Sequence, residues 1–320
     1  MNLDIFTAEE INISLLTNLF PVLSIKGKHN FASYLTGLIE GDGSIIVPTK
    51  DITSYKPFFE ITFHIDDLIL AQNIQSIIGG NIRLKQNYCV LIIKKKSEVL
   101  YIMNLLNGKM RTPKIEALHR MITWYNLNYH TKIKILGIDI SPLQTNNWLA
   151  GFIDADGSFY LNWLLDKKGL ATSLQYYMRI AQRKNYSKLN NFFKTSYFII
   201  MQKIANFLYV PLRFRNRLRK SGLTESAYEV RSANYISNYT ILSYLLQYPL
   251  FSYKYLNINV QLNLLRLSLN KNYKLSNGLS NLENLKLKSK GYNLSSDKRV
   301  KYHSNHISIY FPYNNKKKNI

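Results

Sequence analysis

The sequence predicts an α+β protein built from two pseudo-symmetric halves, and three features of the chain support this prediction. A nine-residue segment at residues 35–43 returns at residues 149–157, followed each time by a serine. After each copy, apolar runs with helical spacing alternate with short runs of strand-forming residues. The chain has 320 residues, of which 46% are hydrophobic, and this is enough for two half-domains that share one core.

The repeated segment predicts a short helix that leads directly into a strand. The apolar run begins near Ser33 in the first copy and near Asn147 in the second, and it stops at Gly43 and Gly157. At these two positions we expect glycine to adopt the left-handed conformation that ends many helices. Strand-forming residues follow, at 45–47 in the first copy and at 159–161 in the second.

The rest of the first half predicts further elements in the same alternation. They are a strand at residues 58–65, a helix at 68–78 that Gly79-Gly80 ends, a strand pair near 82–93, and helices from Glu98 and Pro113. The second half follows the same order with longer connections. We expect much of its extra length near residues 185–198.

The chain therefore divides into five parts. They are a leader (1–30), repeat 1 (31–135), a connector (136–145) that contains Pro142, repeat 2 (146–268) and a tail (269–320). The tail is rich in Lys, Arg, Asn and Ser, a composition that can bury little apolar surface. We expect it to form a basic, partly disordered arm.

Two acidic residues lie in the last turn of each predicted motif helix. They are Glu40 and Asp42 in the first copy, and Asp154 and Asp156 in the second. The negative end of the helix dipole disfavours an anion in this position by roughly 0.3–1 kcal/mol. We therefore expect a positive group close to both helix ends.

Small residues recur at a spacing of four along each motif helix, as Gly37 and Gly41 and as Gly151 and Ala155. They leave one face of each helix almost free of side chains, so the two helices can pack backbone to backbone. Such packing would bring both acidic ends to one edge of the contact. Carboxylate oxygens gathered at that edge are suitable ligands for Mg²⁺.

The two segments read LTGLIEGDG and LAGFIDADG, and they resemble the motif of the LAGLIDADG homing endonucleases. The second copy differs from the family motif only at Phe152. The chain is similar to the single-chain, two-motif members encoded in organellar introns. The resemblance implies αββαββα half-domains packed through their motif helices, with saddle-shaped antiparallel β-sheets that face DNA.

The resemblance also implies roles for the motif residues. The eighth position, Asp42 and Asp156, is the catalytic and metal-binding acid of the family, and the seventh, Gly41 and Ala155, offers a backbone carbonyl to the metal. The expected cofactor is Mg²⁺ or another divalent cation such as Mn²⁺. We interpret the acids at the sixth position, Glu40 and Asp154, as structural.

Further catalytic candidates come from three other segments. Gln182 ends a segment that resembles the family strand in which a glutamine holds water near the metal, whereas the matching place in repeat 1 is Phe63. Lys114 follows a threonine and a proline at a predicted helix start, where the dipole opposes a cation, so it could serve to stabilise phosphate charge. Lys254 occupies the comparable place in repeat 2. For both lysines a plain solvated side chain remains the alternative.

The charge balance indicates a polyanionic partner. The chain has 42 Lys and Arg against 19 Asp and Glu, a formal net charge of +23, and nucleic acid is the simplest partner. A membrane surface is the competing explanation, but no segment offers eighteen uninterrupted apolar residues and no basic amphipathic helix stands out. We therefore expect double-stranded DNA and no membrane.

A row of arginines predicts where nucleic acid would bind. Arg213, Arg215, Arg217 and Arg219 alternate with other residues, so at the strand period of two they share one face. The shorter counterpart in repeat 1 contains Arg83 and Lys85, and candidates on neighbouring strands are Arg179, Arg183, Glu60, Thr62 and His64. A two-stranded ribbon fits the DNA major groove. The alternative is an exposed face kept soluble by its charge.

Several residue types exclude other classes of function. Cys89 is the only cysteine, so the chain has no internal disulfide, and we expect Cys89 to be a small core residue. The six histidines show no zinc-ligand spacing, and we expect His303 and His306 to be tail residues. Residues 1–30 read neither as a signal peptide nor as an Arg-rich transit peptide. The chain is rich in Asn, Lys, Ile, Tyr and Phe, whose codons are rich in A and T. This composition and the family resemblance point to synthesis in a mitochondrion, with a chloroplast as the less favoured compartment.

The sequence thus predicts a monomeric, site-specific, metal-dependent endonuclease that cuts both DNA strands and mediates intron homing. One alternative is a maturase that binds its own group I intron RNA and assists splicing, with or without DNA cleavage. Another is a DNA-binding module that has lost its activity, for which Phe63 is the only support.

Overall fold

The computed structural model describes residues 28–49, 55–186, 195–218, 222, 224–289 and 307. Most of the predicted leader and much of the predicted tail lie outside the described residues. Arg219, His303 and His306 lie outside them as well.

Repeat 1 contains four helices and four strands within the described residues. They are α1 (Lys28–Asp42), β1 (Gly43–Ile46), β2 (Phe58–His64), α2 (Leu68–Ile78), β3 (Asn81–Leu84), β4 (Tyr88–Ile93), α3 (Lys96–Leu106) and α4 (Ile115–Tyr129). The bounds of α2 are those predicted. Gly79 and Gly80 end this helix with φ angles of 81° and 89°, which only glycine adopts without strain.

Repeat 2 repeats this order with longer strands and an extra strand pair. Its elements are α5 (Trp148–Asp156), β5 (Gly157–Leu165), β6 (Ala171–Arg183), β7 (Asn185–Tyr186), β8 (Thr195–Ser196), α6 (Phe198–Phe207), β9 (Arg213–Leu218), β10 (Thr224–Arg231), α7 (Tyr235–Gln247) and α8 (Leu256–Leu269). The helix α9 (Gly278–Ser289) follows in the predicted tail. Residues 184–197 separate β6 from α6, whereas only the 3-10 turn Ile65–Asp67 separates β2 from α2. Part of the extra length therefore falls where it was predicted, and the longer strands and turns of repeat 2 hold the rest.

The two repeats form sheets of identical topology. The strand orders are β1-β2-β4-β3 and β5-β6-β10-β9, and every neighbouring pair is antiparallel. Gly43 pairs with Ile61 in the first sheet, and Gly157 pairs with Ile180 in the second, so the registers give a residue-by-residue correspondence. The α+β prediction with two αββαββα halves is confirmed.

Helices α1 and α5 pack against each other through their glycine faces. A Cβ atom on Gly37 would lie 2.8 Å from the backbone nitrogen of Phe152, and one on Gly151 would lie 3.0 Å from that of Leu38. Both would be even closer to a carbonyl oxygen of the other helix, so no side chain fits. The predicted backbone-to-backbone contact is therefore present.

The predicted left-handed caps of the motif helices are wrong. Gly157 has an extended backbone with φ −75° and ψ 152°, and Gly43 is not among the glycines with positive φ. Glycine is required here for space, because a Cβ on Gly43 would lie 2.7 Å from the carbonyl oxygen of Ile39, and one on Gly157 would lie 2.6 Å from that of Ile153. Each strand leaves its helix folded tightly over the last turn.

Other elements fit their expected environments. Cys89 is fully buried in β4, as expected of a core residue. Within the predicted tail, α9 packs on α8 and buries Leu282 and Leu285. Within the described part of the chain, no helix combines the length and the apolar character needed to cross a membrane.

Candidate active site

The two motif aspartates come together where α1 and α5 end. Asp42 is exposed and Asp156 is half-buried, so neither side chain is turned into the interior. A Cβ atom on Gly41 would lie 2.8 Å from Oδ2 of Asp156, so this carboxylate reaches across to the residue that precedes Asp42. The small seventh position of the motif makes this approach possible.

Partial desolvation changes the pKa of both aspartates, and the proximity of the two carboxylates contributes to the shift at Asp42. Desolvation, together with the negative charge of Asp156, raises the pKa of Asp42 to about 6. Desolvation also raises the pKa of Asp156, although a hydrogen bond from Gln182 and the positive charges of Lys114 and Lys254 oppose the shift. The pair is thus a concentration of negative charge that nearby cations only partly balance.

Lys114 and Lys254 provide the positive groups predicted at the helix ends. The ammonium of Lys114 donates to the carbonyl oxygens of Ile39, Gly41 and Gly43 at 2.9, 3.0 and 2.8 Å. The ammonium of Lys254 donates to those of Ile153, Asp154 and Ala155 at 3.1, 2.7 and 2.8 Å. Each lysine therefore caps a motif helix and complements its dipole.

This geometry corrects one alternative for the lysines. Lys114 is only 6% exposed, so it is not a solvated surface side chain. It precedes α4, which begins at Ile115, and its ammonium is directed towards the end of α1. The dipole of α4 disfavours a cation at its start, but the ammonium of Lys114 lies at the negative end of the α1 dipole, which favours a cation.

The acids at the sixth motif position join the two repeats. Glu40 is buried and accepts hydrogen bonds from the backbone of Arg111 and Thr112, and from the indole of Trp148 at 2.6 Å. Burial raises its pKa despite these bonds. Since Trp148 belongs to α5, Glu40 connects repeat 1 to the second motif helix.

Asp154 makes the symmetric set of contacts. It accepts a hydrogen bond from the hydroxyl of Tyr34 at 2.7 Å, and others from the backbone and side chain of Ser252. Thr112 and Ser252 each stand two residues before a capping lysine. Both sixth-position acids thus hold the loop that carries the lysine, as expected of structural residues.

The second layer of the site is asymmetric. Gln182 donates a hydrogen bond to Oδ2 of Asp156. Gln182 lies two residues after Ile180, the partner of Gly157, and the equivalent place after Ile61 is Phe63. Phe63 is buried, and an aromatic ring offers no such donor to Asp42.

The donor atoms at the helix joint suit a hard divalent cation. Two carboxylates converge there, beside the carbonyl oxygens of Gly41 and Ala155. Each of these carbonyl oxygens already accepts a hydrogen bond from a lysine ammonium. Since a carbonyl oxygen has two lone pairs, one lone pair of each remains for a cation. Across the described residues, no group of three or more His, Cys, Asp and Glu side chains is placed to hold a metal. A cation here would therefore complete its shell with water or phosphate oxygens, as Mg²⁺ commonly does.

The predicted arginine row lies on the outer face of the second sheet. All six residues of β9 are exposed, and Arg213, Arg215 and Arg217 share one face. Arg183 and Arg215 both pair with Ala227 of β10, and Arg179 lies four residues before Arg183, so the neighbouring strand adds two arginines to this face.

The first sheet has the smaller counterpart expected. Thr62 pairs with Val90, which also pairs with Arg83, so these side chains share a face. Glu60 and His64 alternate with Thr62 on β2, and Lys85 lies just beyond the end of β3. Each sheet begins at the glycine after a motif aspartate, so both outer faces start beside the acid pair.

Three residues of the site were not foreseen. Asp67 accepts a hydrogen bond from the backbone of Tyr253, and burial raises its pKa to about 7. Glu229 and Arg231 lie among the arginines of the second sheet. Glu229 and Arg231 could have been found from the strand period, because they alternate with other residues on the same strand as Glu225 and Ala227. No local pattern indicates that Asp67 contacts the loop that carries Lys254.

Comparison with known proteins agrees with this geometry. A family model described as LAGLIDADG endonuclease matches residues 35–125 and 149–265. The chain is 34% identical over 252 residues to the intron-encoded DNA endonuclease aI3 of Saccharomyces cerevisiae, across 70% of this chain and 60% of that protein. It is 25% identical over 159 residues to the intron-encoded RNA maturase bI4 of the same species, across 49% of this chain and 23% of that protein.

Solved structures show the same fold. The LAGLIDADG meganuclease I-AabMI, solved bound to uncleaved DNA, superposes with a TM-score of 0.57 at 17% identity, over 79% of this chain and 97% of that one. The chain spans less than two thirds of the length of the two curated relatives named here. The doubled motif, the matched pair of sheets and the family match together show that this chain belongs to the LAGLIDADG endonuclease family.

Proposed function

We propose that this protein is a site-specific, divalent-metal-dependent endonuclease that cuts both strands of a DNA duplex. The observation that carries the proposal is the convergence of Asp42 and Asp156 at the joint of α1 and α5, beside the outer faces of two sheets, of which the second is lined by arginines. One acid then serves each strand. Mg²⁺ is the proposed cation, with Mn²⁺ as a substitute.

The outer faces of the sheets would hold the flanking DNA. Arginines on adjacent strands can neutralise phosphates and can also bind guanine through two hydrogen bonds in the major groove. The net charge of +23 favours such a partner. Relatives named as an intron-encoded DNA endonuclease and as a meganuclease bound to DNA support the same partner.

The chain's own residues would position the reacting phosphate. A bound divalent cation would activate water at neutral pH and stabilise phosphate charge. Asp42 and Asp156 would hold it, the carbonyls of Gly41 and Ala155 would complete the protein ligands, and Gln182 would orient Asp156. Lys114 and Lys254 fix the backbone that carries these groups, and their charge would also favour an anionic phosphate.

The proposed biological role is homing of the intron that encodes the protein. A double-strand cut in an intronless allele would lead to copying of the intron into it. We propose synthesis in the mitochondrion, because relatives are named as intron-encoded proteins and the composition fits A+T-rich codons. Both motifs lie in one chain, so we propose a monomer.

The proposal is tested with purified protein, Mg²⁺ and a duplex that carries the joined exons on either side of the intron. The wild-type protein should cut both strands at one site. Asp42→Asn and Asp156→Asn should each abolish cutting of one strand, and the double variant should abolish all cutting while it still binds the duplex. Glu283→Gln, which removes one negative charge from the exposed face of α9, is the matched control. Cleavage by the double variant would overturn the assignment of the two acids.

A second candidate function is that of a maturase. It is favoured by the similarity to the RNA maturase bI4 over about half of this chain. The same preparation should then bind its own group I intron RNA tightly and accelerate splicing. Tight RNA binding without DNA cleavage would favour the maturase, whereas duplex binding without cleavage would favour an inactive DNA-binding module.

A further inference from the structure

A buried carboxylate lies beneath the arginines of the second sheet. Glu229 is on β10, the strand between β6 and β9, and it is only 2% exposed. Its side chain is on the basic outer face, because it pairs with Arg213 on one side and with Ala181 on the other. An acid in this place lowers the positive charge of a surface on which arginines are the most frequent residue.

Three guanidinium groups gather around this carboxylate. Nε of Arg231 lies 2.6 Å from Oε1, and one NH1 atom each of Arg215 and Arg179 lies 3.9 and 4.0 Å from Oε2. The three arginine side chains are 29%, 45% and 36% exposed, so they cover the acid and still reach solvent. They come from β10, β9 and β6, so Glu229 connects side chains on three adjacent strands.

Small and aromatic neighbours make the arrangement possible. Ala181, directly opposite Glu229, has no side chain long enough to occupy the space above the carboxylate. On the same strand as Ala181, the Tyr177 ring contacts the next arginine: the guanidinium of Arg231 lies 5.1 Å from the centre of this ring, and Tyr177 stacks on Tyr160. Arg231 is thus held between a carboxylate and an aromatic face.

The energetic cost of Glu229 argues against a purely electrostatic role. A buried carboxylate loses its hydration, and among the described residues neither Oε2 of Glu229 nor Nε of Arg231 has a hydrogen-bond partner, so the contacts of this carboxylate with the arginines are ion pairs. Phosphate binding needs only positive charge, which Glu229 reduces. Base recognition instead needs guanidinium groups with a defined direction, because two hydrogen bonds to a guanine edge require a fixed geometry.

We propose that Glu229 is a positioning residue for sequence recognition, which orients Arg179, Arg215 and Arg231 towards base edges. This inference rests on the proposed function, since it requires a DNA duplex on this face. Glu229 does not touch the DNA itself; it sets which directions the three guanidinium groups can take. The arginines then discriminate between sequences more strongly than their charge alone would allow.

The test compares specificity with affinity. The wild-type protein first selects sequences from a pool of random duplexes, and dissociation constants are then measured for a selected duplex and for the random pool. For Glu229→Gln we expect equal or tighter binding to the random pool, because one negative charge is lost. We expect discrimination in favour of the selected duplex to fall about tenfold, the effect of losing one good base contact.

Two further variants separate positioning from charge and from folding. Glu283→Gln removes the same charge from the exposed face of α9, away from the arginines, and should leave discrimination unchanged. Glu229→Asp keeps the charge and should retain more discrimination than Glu229→Gln. The positioning role is overturned if the two Gln variants discriminate equally well between the selected duplex and the random pool. It is also overturned if Glu229→Gln weakens binding to the selected duplex and to the pool by the same factor and lowers the Tm. If the wild-type protein selects no sequence, the proposed function fails and the inference fails with it.

Discussion

The ammonium of Lys114 donates a hydrogen bond to the carbonyl oxygen of Gly41 at 3.0 Å, one residue before the motif aspartate Asp42. The same ammonium holds two neighbouring carbonyls, so it fixes the last turn of α1 in place. Lys254 does the same for α5. The position of each aspartate therefore depends on a lysine that is distant in sequence.

Lys114→Met should destabilise the protein by about 3 kcal/mol, because carbonyl groups at a buried helix end would lose their donor. Cleavage should be lost together with this stability. Urea unfolding of the variant measures the effect, and Lys132→Met, at an exposed position, is the control and should change the free energy of unfolding by less than about 0.5 kcal/mol. A stable but inactive Lys114→Met would instead indicate that the ammonium acts only on the substrate.

Gly37→Ala should push the two motif helices apart. The added Cβ would lie 2.8 Å from the backbone nitrogen of Phe152, and backbone atoms cannot move aside as a flexible side chain can. We expect a loss of about 3 kcal/mol or more in the free energy of unfolding. Gly137→Ala is the matched control, because no atom lies within 4 Å of the added Cβ and Gly137 is not among the glycines with positive φ. Equal stability of the two variants would contradict close helix packing.

Phe63→Gln should make the two half-sites more alike. In the wild-type protein we expect the strand served by Asp156 to be cut faster, since only Asp156 has a hydrogen-bonding glutamine beside it. In the variant, the ratio of the cleavage rates of the two DNA strands should fall about fivefold, which corresponds to one hydrogen bond of about 1 kcal/mol. A duplex labelled differently on each strand reports both rates. Phe63→Leu, which adds no donor, should leave their ratio unchanged.

Asp67 should make the stability of the protein depend on pH. Its pKa is about 7 in the folded protein because of burial, whereas an unfolded aspartate has a pKa of about 3.9. Between these values the folded state binds a proton that the unfolded chain has released, so this group's contribution to stability falls as the pH rises from about 4 to about 7.

Asp67→Asn should remove this dependence, because asparagine keeps an oxygen that accepts the hydrogen bond from Tyr253. Chemical unfolding of both proteins at pH 5 and at pH 8 is the measurement. The free energy of unfolding of the wild-type protein minus that of the variant should be smaller at pH 8 than at pH 5. A stability difference that is the same at both pH values would show that Asp67 titrates normally.

Much of the fold could be predicted because its signals are local. The glycine pair 79–80 ends a helix through backbone freedom alone, and the alternation of Arg213, Arg215 and Arg217 follows from the strand period. The prediction of left-handed caps at Gly43 and Gly157 was wrong because it also used only local signals. These glycines are needed because each strand folds back over the preceding helical turn and leaves no space for a Cβ atom, which the local sequence does not show.

The sequence by itself determined the glycine faces and the motif acids, because each is a pattern within a few neighbouring residues. It also determined the two-half α+β architecture, because the same local patterns occur twice along the chain. Only the tertiary structure decided what surrounds the acids. Lys114 reaches a carbonyl 75 residues away and Lys254 one 101 residues away, and Glu229 collects arginines from three strands. Such contacts depend on which chain segments meet in space, and desolvation at those meeting points then sets the charge and geometry of the site.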